Sequence, residues 1–163
     1  MINIDGMSDA GITRDVVVGG YGQDDLQDLL ATFVTSQGRT VTRDPYPERG
    51  GFYRSDQLSF AKIGVPVLAA GSGLDLFDGG VARGQQLAQD YLEHRYHQPD
   101  DELTSDWDMS GAMRDLQLLY NVGHQVADSD AWPQWYPNSE FRGIRDASRR
   151  DAEPATPPPA PAS

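Results

Sequence analysis

The stretch from residue 93 to residue 102 concentrates the side chains of this chain that could do chemistry. It reads E-H-R-Y-H-Q-P-D-D-E and holds two of the three histidines, followed closely by acidic residues. Imidazole and carboxylate groups are ligands that zinc takes in proteins. Polar loops are also commonly built from residues such as Asp and Pro, and the residue types alone favour a solvated loop over a metal site.

Other catalytic chemistries find little support in the sequence. The chain has no cysteine, so neither a thiolate nucleophile nor a disulfide is available. It lacks a G-x-S-x-G elbow, a G-x-x-x-x-G-K-[ST] loop and a G-x-G-x-x-G fingerprint after a strand, which argues against serine hydrolases and nucleotide-binding proteins. His94, near a predicted helix C-terminus, and His124, within a predicted helix, are interpreted as surface or structural residues.

The charge balance excludes several classes of partner. Lys and Arg total 13 against 25 Asp and Glu, and the net charge of -12 repels phosphate backbones and anionic membranes. We therefore expect neither nucleic acid nor a membrane as a partner. No apolar run approaches the roughly 20 residues of a membrane span, and the first residues do not resemble a signal segment. As written, the sequence predicts a cytoplasmic protein, although the compartment stays open.

Hydrophobic patterns predict the elements that must position these residues. Amphipathic or apolar periodicity indicates helices over residues 24–38, 55–62, 82–94 and 110–127, and strands over residues 1–5, 15–20, 39–42 and 65–70. Gly38 is placed to end the first of these helices, and Ser55 is placed to cap the second. Strands interleaved with helices predict an α/β fold of three layers with a mainly parallel sheet and flanking helices. Ligand sites of such folds lie beyond the carboxyl ends of strands, where Asp5 and residues 71–75 are found.

The chain is long enough for one domain, which we place over residues 1–146. Residues 151–163 read D-A-E-P-A-T-P-P-P-A-P-A-S and lack large apolar side chains. Such a composition cannot offset the entropy lost on ordering. We therefore predict a disordered, Pro- and Ala-rich tail over residues 147–163.

Four motifs in order resemble the C-terminal part of the M28 family of zinc aminopeptidases, over roughly residues 1–146. They are I-N-I-D near the start, F-Y-R-S-D-Q-L-S-F-A-K-I-G-V-P-V-L in the middle, E-H-R-Y-H-Q-P-D-D-E after it, and P-N-S-E-F-R-G-I-R-D near the end. One such motif is weak evidence, whereas four in the family's order are specific. The resemblance implies a zinc-peptidase (phosphorylase/hydrolase-like) fold that is truncated at its N-terminus.

The resemblance also implies roles for individual residues. In the family the aspartate that closes the I-N-I-D strand and the histidine of the Y-H-x-P-x-D-E turn ligate two different zinc ions, which points to Asp5 and His97. Tyr96 resembles the tyrosine that stabilises the oxyanion formed when a peptide bond is hydrolysed. Asp56 is implied as a residue of the peptide-binding cleft, although a helix-start acid explains it equally well. Gln57 stands where the commoner family form has histidine.

The same resemblance predicts that this chain is inactive by itself. The family's remaining ligands and its E-E general base are not found, since the sequence contains no E-E pair. We therefore expect weak zinc binding or none, and either a complementing N-terminal half or self-association through an exposed sheet edge. One alternative is a non-catalytic remnant or interaction module, and another is a fragment of a glutaminyl-cyclase-like acyltransferase. Members of the family are usually periplasmic or secreted.

Overall fold

The structure, a computed structural model, describes residues 1–152 and has a mixed α/β architecture. Strands of this part of the chain are β1 (Ile2–Asn3), β2 (Asp15–Gly19), β3 (Thr40–Arg43) and β4 (Leu68–Ser72). Its α-helices are α1 (Leu26–Ser36), α2 (Gln57–Ala61), α3 (Gly80–His94), α4 (Ser110–Ala127) and α5 (Arg142–Ala152). Within residues 1–152, no helix combines the length and the apolar character that crossing a membrane requires.

The strands form one sheet in the order β1-β4-β2-β3. β1 runs parallel to β4, and β2 runs parallel to β3, whereas the central pair of β4 and β2 is antiparallel. Two of the three pairings are therefore parallel, which confirms the predicted mainly parallel sheet flanked by helices. β1 is an edge strand of the described sheet and pairs on one side, with β4.

The main core lies where α1 and α4 pack against one face of the sheet. Alternation along D-V-V-V-G directs Val16 and Val18 to that face, and the stripe of α1 buries Leu30 and Val34 against them. Burying a side chain of this kind contributes about 1.5–3 kcal/mol. The buried residues of this cluster are Val16, Val18, Leu26, Leu30, Val34, Leu68, Leu118, Leu119 and Val122.

A second core cluster forms around Trp135, which is fully buried. Its indole Nε1 donates a hydrogen bond of 3.1 Å to the backbone oxygen of Gly64, so its one polar group is satisfied. Phe52 belongs to the same cluster, together with Ala61, Val67 and Phe141. The cluster therefore joins the segment around α2 to the segment that precedes α5.

A buried ion pair joins α4 to the start of β3. Arg39 Nη1 lies 2.7 Å from Asp115 Oδ1, and the two side chains are almost completely inaccessible to solvent. Arg39 also donates to Thr13 Oγ1, and Ser72 Oγ donates to the second oxygen of Asp115. Buried charges persist when they are paired and hydrogen-bonded in this way. Arg39 and Asp115 are 76 positions apart, so no pattern in the local sequence predicts that they pair.

Several elements differ from the sequence-based expectations, and β1 covers only Ile2–Asn3 of the strand expected over residues 1–5. β4 begins at Leu68, whereas the sequence predicted a strand from residue 65. Pro66 has no N–H to donate, and the first hydrogen bond of the ladder runs from the Leu68 amide to the backbone oxygen of Met1. Ser55 was expected to cap α2, but the helix begins at Gln57 and Ser55 binds another segment. Helix α5 was not predicted, and it extends past the domain boundary expected at residue 146. Residues 153–163 of the expected tail lie outside the described residues.

Candidate functional site

Asp5 lies just beyond the carboxyl end of β1, where its side chain is exposed to solvent. Ser55 Oγ donates a hydrogen bond of 2.6 Å to its Oδ2. The amide of Asn3 in turn donates to Ser55 Oγ at 3.0 Å and to Gln57 Oε1 at 2.7 Å. This chain of hydrogen bonds fixes the orientation of the Asp5 carboxylate and leaves Oδ1 without a protein donor among the hydrogen bonds of residues 1–152.

A hollow of about 270 Å³ opens beside Asp5 at this end of the sheet. Its wall includes Ser55, Gln57 and Phe52, and its floor is formed by residues of β2 and β4. Gln57 is buried and its amide donates to the backbone oxygen of Phe52 at 2.9 Å, so this residue supports the wall. Asp56 is exposed at the start of α2 and makes no side-chain cap bond there.

Tyr96 and His97 lie on the exposed turn that follows α3. Their rings are stacked, with centroids 3.9 Å apart and planes inclined by 19°. His97 has φ 57°, and it is the one non-glycine residue with positive φ among residues 1–152. This left-handed conformation costs about 1–2 kcal/mol for a residue with a side chain. The turn therefore holds the His97 backbone in a conformation that residues with a side chain rarely adopt.

Of the acidic residues that follow His97, Asp101 contacts Tyr91 and Arg95. Asp101 accepts a hydrogen bond of 3.3 Å from the Tyr91 hydroxyl and lies 3.8 Å from Arg95 Nε. The other two histidines lie on helix surfaces, as the sequence indicated. His94 Nδ1 contacts Asp90 at 3.0 Å, and His124 Nδ1 contacts the aspartate at position 128 at 3.2 Å, each one helical turn away.

A larger depression separates the loop after Asp5 from α3, and it consists of two adjoining hollows of about 410 and 490 Å³. Asp9, Tyr91, Arg95 and Trp107 line both hollows. Sequence reasoning did not identify this group. The only signal was the arginine inside E-H-R-Y-H, since Trp107 and Asp9 lie in segments without a recognisable motif.

Comparison with known proteins identifies the family. The family model described as Peptidase family M28 matches residues 1–121, which is most of the chain. The chain belongs to peptidase family M28. Searches among curated proteins and among solved structures returned no match.

M28 membership confirms the resemblance drawn from the motifs and identifies a peptidase-type hydrolase. The matched range includes the I-N-I-D strand, the segment around Ser55 and the Tyr96–His97 turn. The fourth motif, at residues 137–146, lies outside it, and the match begins at residue 1. The expectation that the chain is only a C-terminal part of the family domain therefore stays a prediction.

The two residues that the resemblance predicts as zinc ligands lie on separate elements. Asp5 lines the hollow at the end of β1, whereas His97 is on the turn after α3, and no hydrogen bond or ion pair of residues 1–152 joins them. No group of three or more His, Asp or Glu side chains in this part of the chain could hold a metal ion. Catalytic zinc ordinarily takes three protein ligands, so the described residues do not by themselves fit it.

Proposed function

We propose that this M28-family chain contributes Asp5 and His97 to the site of a zinc-dependent aminopeptidase. The observation that carries the proposal is the positive φ of His97 on an exposed turn. Backbone strain of this kind clusters at functional sites, where the surrounding structure maintains it. A histidine that only faced solvent would gain nothing from this strained backbone conformation.

The other site residues receive roles from their positions. Asp5 has one oxygen bound by Ser55, which leaves the second oxygen available to a ligand. The Tyr96 hydroxyl is exposed beside His97 and can donate a hydrogen bond to an oxygen that gains negative charge during hydrolysis. Asp56 is exposed between Ser55 and Gln57, which both line the hollow, and we assign it to contact with the peptide substrate.

We expect the chain to hydrolyse no peptide bonds by itself. Two ligands without a third bind zinc weakly, and the E-E general base of the family has no counterpart in the sequence. A further polypeptide segment with carboxylate or imidazole groups must therefore complete the site. The outer side of β1 is a suitable place, because this edge strand ends beside Asp5.

Zinc titration and peptide hydrolysis test the proposal together. Isothermal titration of the purified chain with zinc chloride is expected to detect weak binding, and leucine p-nitroanilide is expected to remain uncleaved. Loss of a residue that merely supports a ligand costs about 10–100-fold in metal affinity, so Asp5→Ala or His97→Ala should weaken zinc binding at least about tenfold. His124→Ala removes a surface histidine as a matched control and should leave zinc binding unchanged.

Three results would contradict this function, and the first is the absence of any zinc binding by the parent chain. Equal zinc affinity in the parent, Asp5→Ala and His97→Ala would remove both residues from the site. Cleavage of leucine p-nitroanilide by the chain alone would show that the active site is complete. The first two results favour the alternative of a non-catalytic interaction module, which the lack of a three-ligand group in residues 1–152 already supports.

A further inference from the structure

Arg95 immediately precedes the Tyr96–His97 turn but is oriented differently from its neighbours. Tyr96 and His97 are exposed, whereas the Arg95 side chain is only 24% accessible to solvent and lines the depression between α3 and the loop after Asp5. Its backbone N–H donates to the Tyr91 oxygen at 2.9 Å, which fixes the residue at the end of α3. The guanidinium therefore lies in the depression, where its Nε is also 3.8 Å from Asp101 of the turn.

Arg95 binds a separate segment of the chain. Its Nη2 donates a hydrogen bond of 2.9 Å to Asp9 Oδ2, which lies on the loop that follows Asp5. The guanidinium carbon lies 5.3 Å from the ring centroid of Tyr91 and 5.8 Å from that of Trp107, distances at which cation–π attraction operates. The hydrogen bond that Arg95 donates to Asp9 raises the pKa of Arg95, so the guanidinium stays charged.

Asp9 is itself anchored to the body of the domain. Its backbone oxygen accepts a hydrogen bond of 2.8 Å from the amide of Asp108, and Gly11 donates to the oxygen of Asp108 at 3.0 Å. Asp108 lies directly before α4, where its carboxylate also accepts from the Ser110 amide. The loop after Asp5 is therefore held against the start of a core helix, and Arg95 binds to a fixed point.

The turn has few other tertiary contacts. Hydrogen bonds of residues 96–102 in the described structure run to one another or to the last turns of α3, as with Tyr96 to Tyr91 and Gln98 to Glu93. The contact between Arg95 and Asp9 is the one hydrogen bond from residues 95–102 to a distant part of the described chain. A turn without it could move as a unit about the end of α3.

We infer that Arg95 is a positioning residue that sets the distance between the segment of Asp5 and the turn of His97. Removing its charge should free the turn while leaving the fold intact, because the Arg95–Asp9 pair is partly solvated and such pairs contribute little to global stability. The inference relies on the proposed function only for the statement that these two segments carry the metal ligands. The contact of Arg95 with Asp9, which we call the tether, is observed independently of any metal.

Electron-spin distance measurements can observe the tether without any metal. The chain has no native cysteine, so Ile4→Cys and Asp100→Cys place nitroxide labels beside Asp5 and on the turn. Both positions are exposed, and neither is one of the expected ligands. In this labelled parent we expect a narrow distance distribution. Arg95→Gln should broaden it roughly twofold, because segments with few tertiary contacts open locally at little cost.

Matched variants separate positioning from a general structural effect. Arg95→Lys keeps the charge opposite Asp9 and should restore most of the narrow distribution. Arg83→Gln removes an arginine that pairs with Asp78 near the other end of α3 and should leave the distribution unchanged. If Arg95→Gln fails to fold by circular dichroism, Asp9→Asn removes the same contact from the other side and provides the test.

The outcomes distinguish the tether from the proposed function. A distribution in Arg95→Gln or Asp9→Asn as narrow as in the labelled parent overturns the tether, as does equal broadening in Arg83→Gln. Titration of the unlabelled chains with zinc chloride tests the function separately. If the distance distribution broadens in Arg95→Gln but the parent binds no zinc, the tether is retained and the metal site is rejected. If the parent binds zinc more tightly than Arg95→Gln does, both the tether and the metal site are supported.

Discussion

Replacement of Asp24 by asparagine should remove a large part of the pH dependence of stability. Asp24 is buried at the start of α1, where its Oδ1 accepts a hydrogen bond of 3.0 Å from the Leu26 amide. Burial raises the pKa of Asp24 from 3.8 to about 7, while hydrogen bonds from the amides of Leu26 and Val67 oppose part of that effect. Asparagine is similar in size and keeps an oxygen acceptor for the Leu26 amide, but it does not ionise.

The sign follows from proton uptake. Between pH 4 and pH 7 the folded chain retains a proton on Asp24 that the unfolded chain releases. The protonated carboxyl therefore contributes its full stability below its ordinary pKa of 3.8. That contribution is lost as the pH rises through about 7, the pKa of Asp24 in the folded chain. At about 1.4 kcal/mol per pH unit, the difference between the two pKa values corresponds to about 4 kcal/mol. The unfolding free energy of Asp24→Asn minus that of the parent should therefore be up to about 4 kcal/mol larger at pH 9 than at pH 4.

Urea unfolding followed by circular dichroism at several values between pH 4 and pH 9 measures this difference directly. Titrating groups that do not interact with Asp24 cancel in the free energy of Asp24→Asn minus that of the parent. The Met1 amino group is the main exception, because burial lowers its pKa while the Asp24 charge raises it. Asp130→Asn removes an exposed carboxylate and should run parallel to the parent. Parallel curves for Asp24→Asn and the parent would refute the reasoning, since they would mean that Asp24 ionises equally readily in the folded and unfolded chains.

Three further predictions concern the core. Asp115→Ala should cost about 3–5 kcal/mol of unfolding free energy in urea, because the Arg39 charge stays buried without its partner, and the double change Arg39→Met/Asp115→Leu should cost less. Trp135→Phe should lower stability by about 1–3 kcal/mol, measured the same way, by leaving a buried backbone carbonyl without its donor. Gly84→Ala should cost about 1–3 kcal/mol in thermal unfolding, because its methyl group meets a backbone carbonyl, whereas Gly143→Ala meets nothing nearby and should not destabilise.

Helix positions were largely predictable from the sequence, as α1 and α4 show. The apolar stripe of residues 26–34 and its stop at Gly38 depend on neighbours within two turns, and α4 was expected at residues 110–127, where it is found. Helix α5 escaped prediction because its sequence, R-G-I-R-D-A-S-R-R-D-A, contains a single large apolar residue, Ile144, and so shows no apolar stripe. The family was recognisable because its motifs are short and contiguous, and the family match confirms it.

The candidate site was predictable only as a set of residue types. Asp5, Asp56, Tyr96 and His97 were named from motifs, and their roles stay predictions. The sequence suggested Ser55 as a helix cap, in which its hydroxyl oxygen would accept a hydrogen bond from a helix N–H. In the folded chain that oxygen accepts instead from the Asn3 amide, and its proton is donated to the Asp5 carboxylate. Both partners belong to a distant segment, so only the folded chain determines them.

The sequence by itself determined the family, the main helices and strands, and the net negative charge that argues against nucleic acid, because these depend on composition and on neighbouring residues. Only the tertiary structure decided the antiparallel pairing of β2 with β4, the burial of Asp24, the ion pair of Arg39 with Asp115 and the contact of Arg95 with Asp9. Each depends on how the chain brings distant segments together. The free energy of such contacts depends on solvent exclusion and geometry that no local pattern encodes.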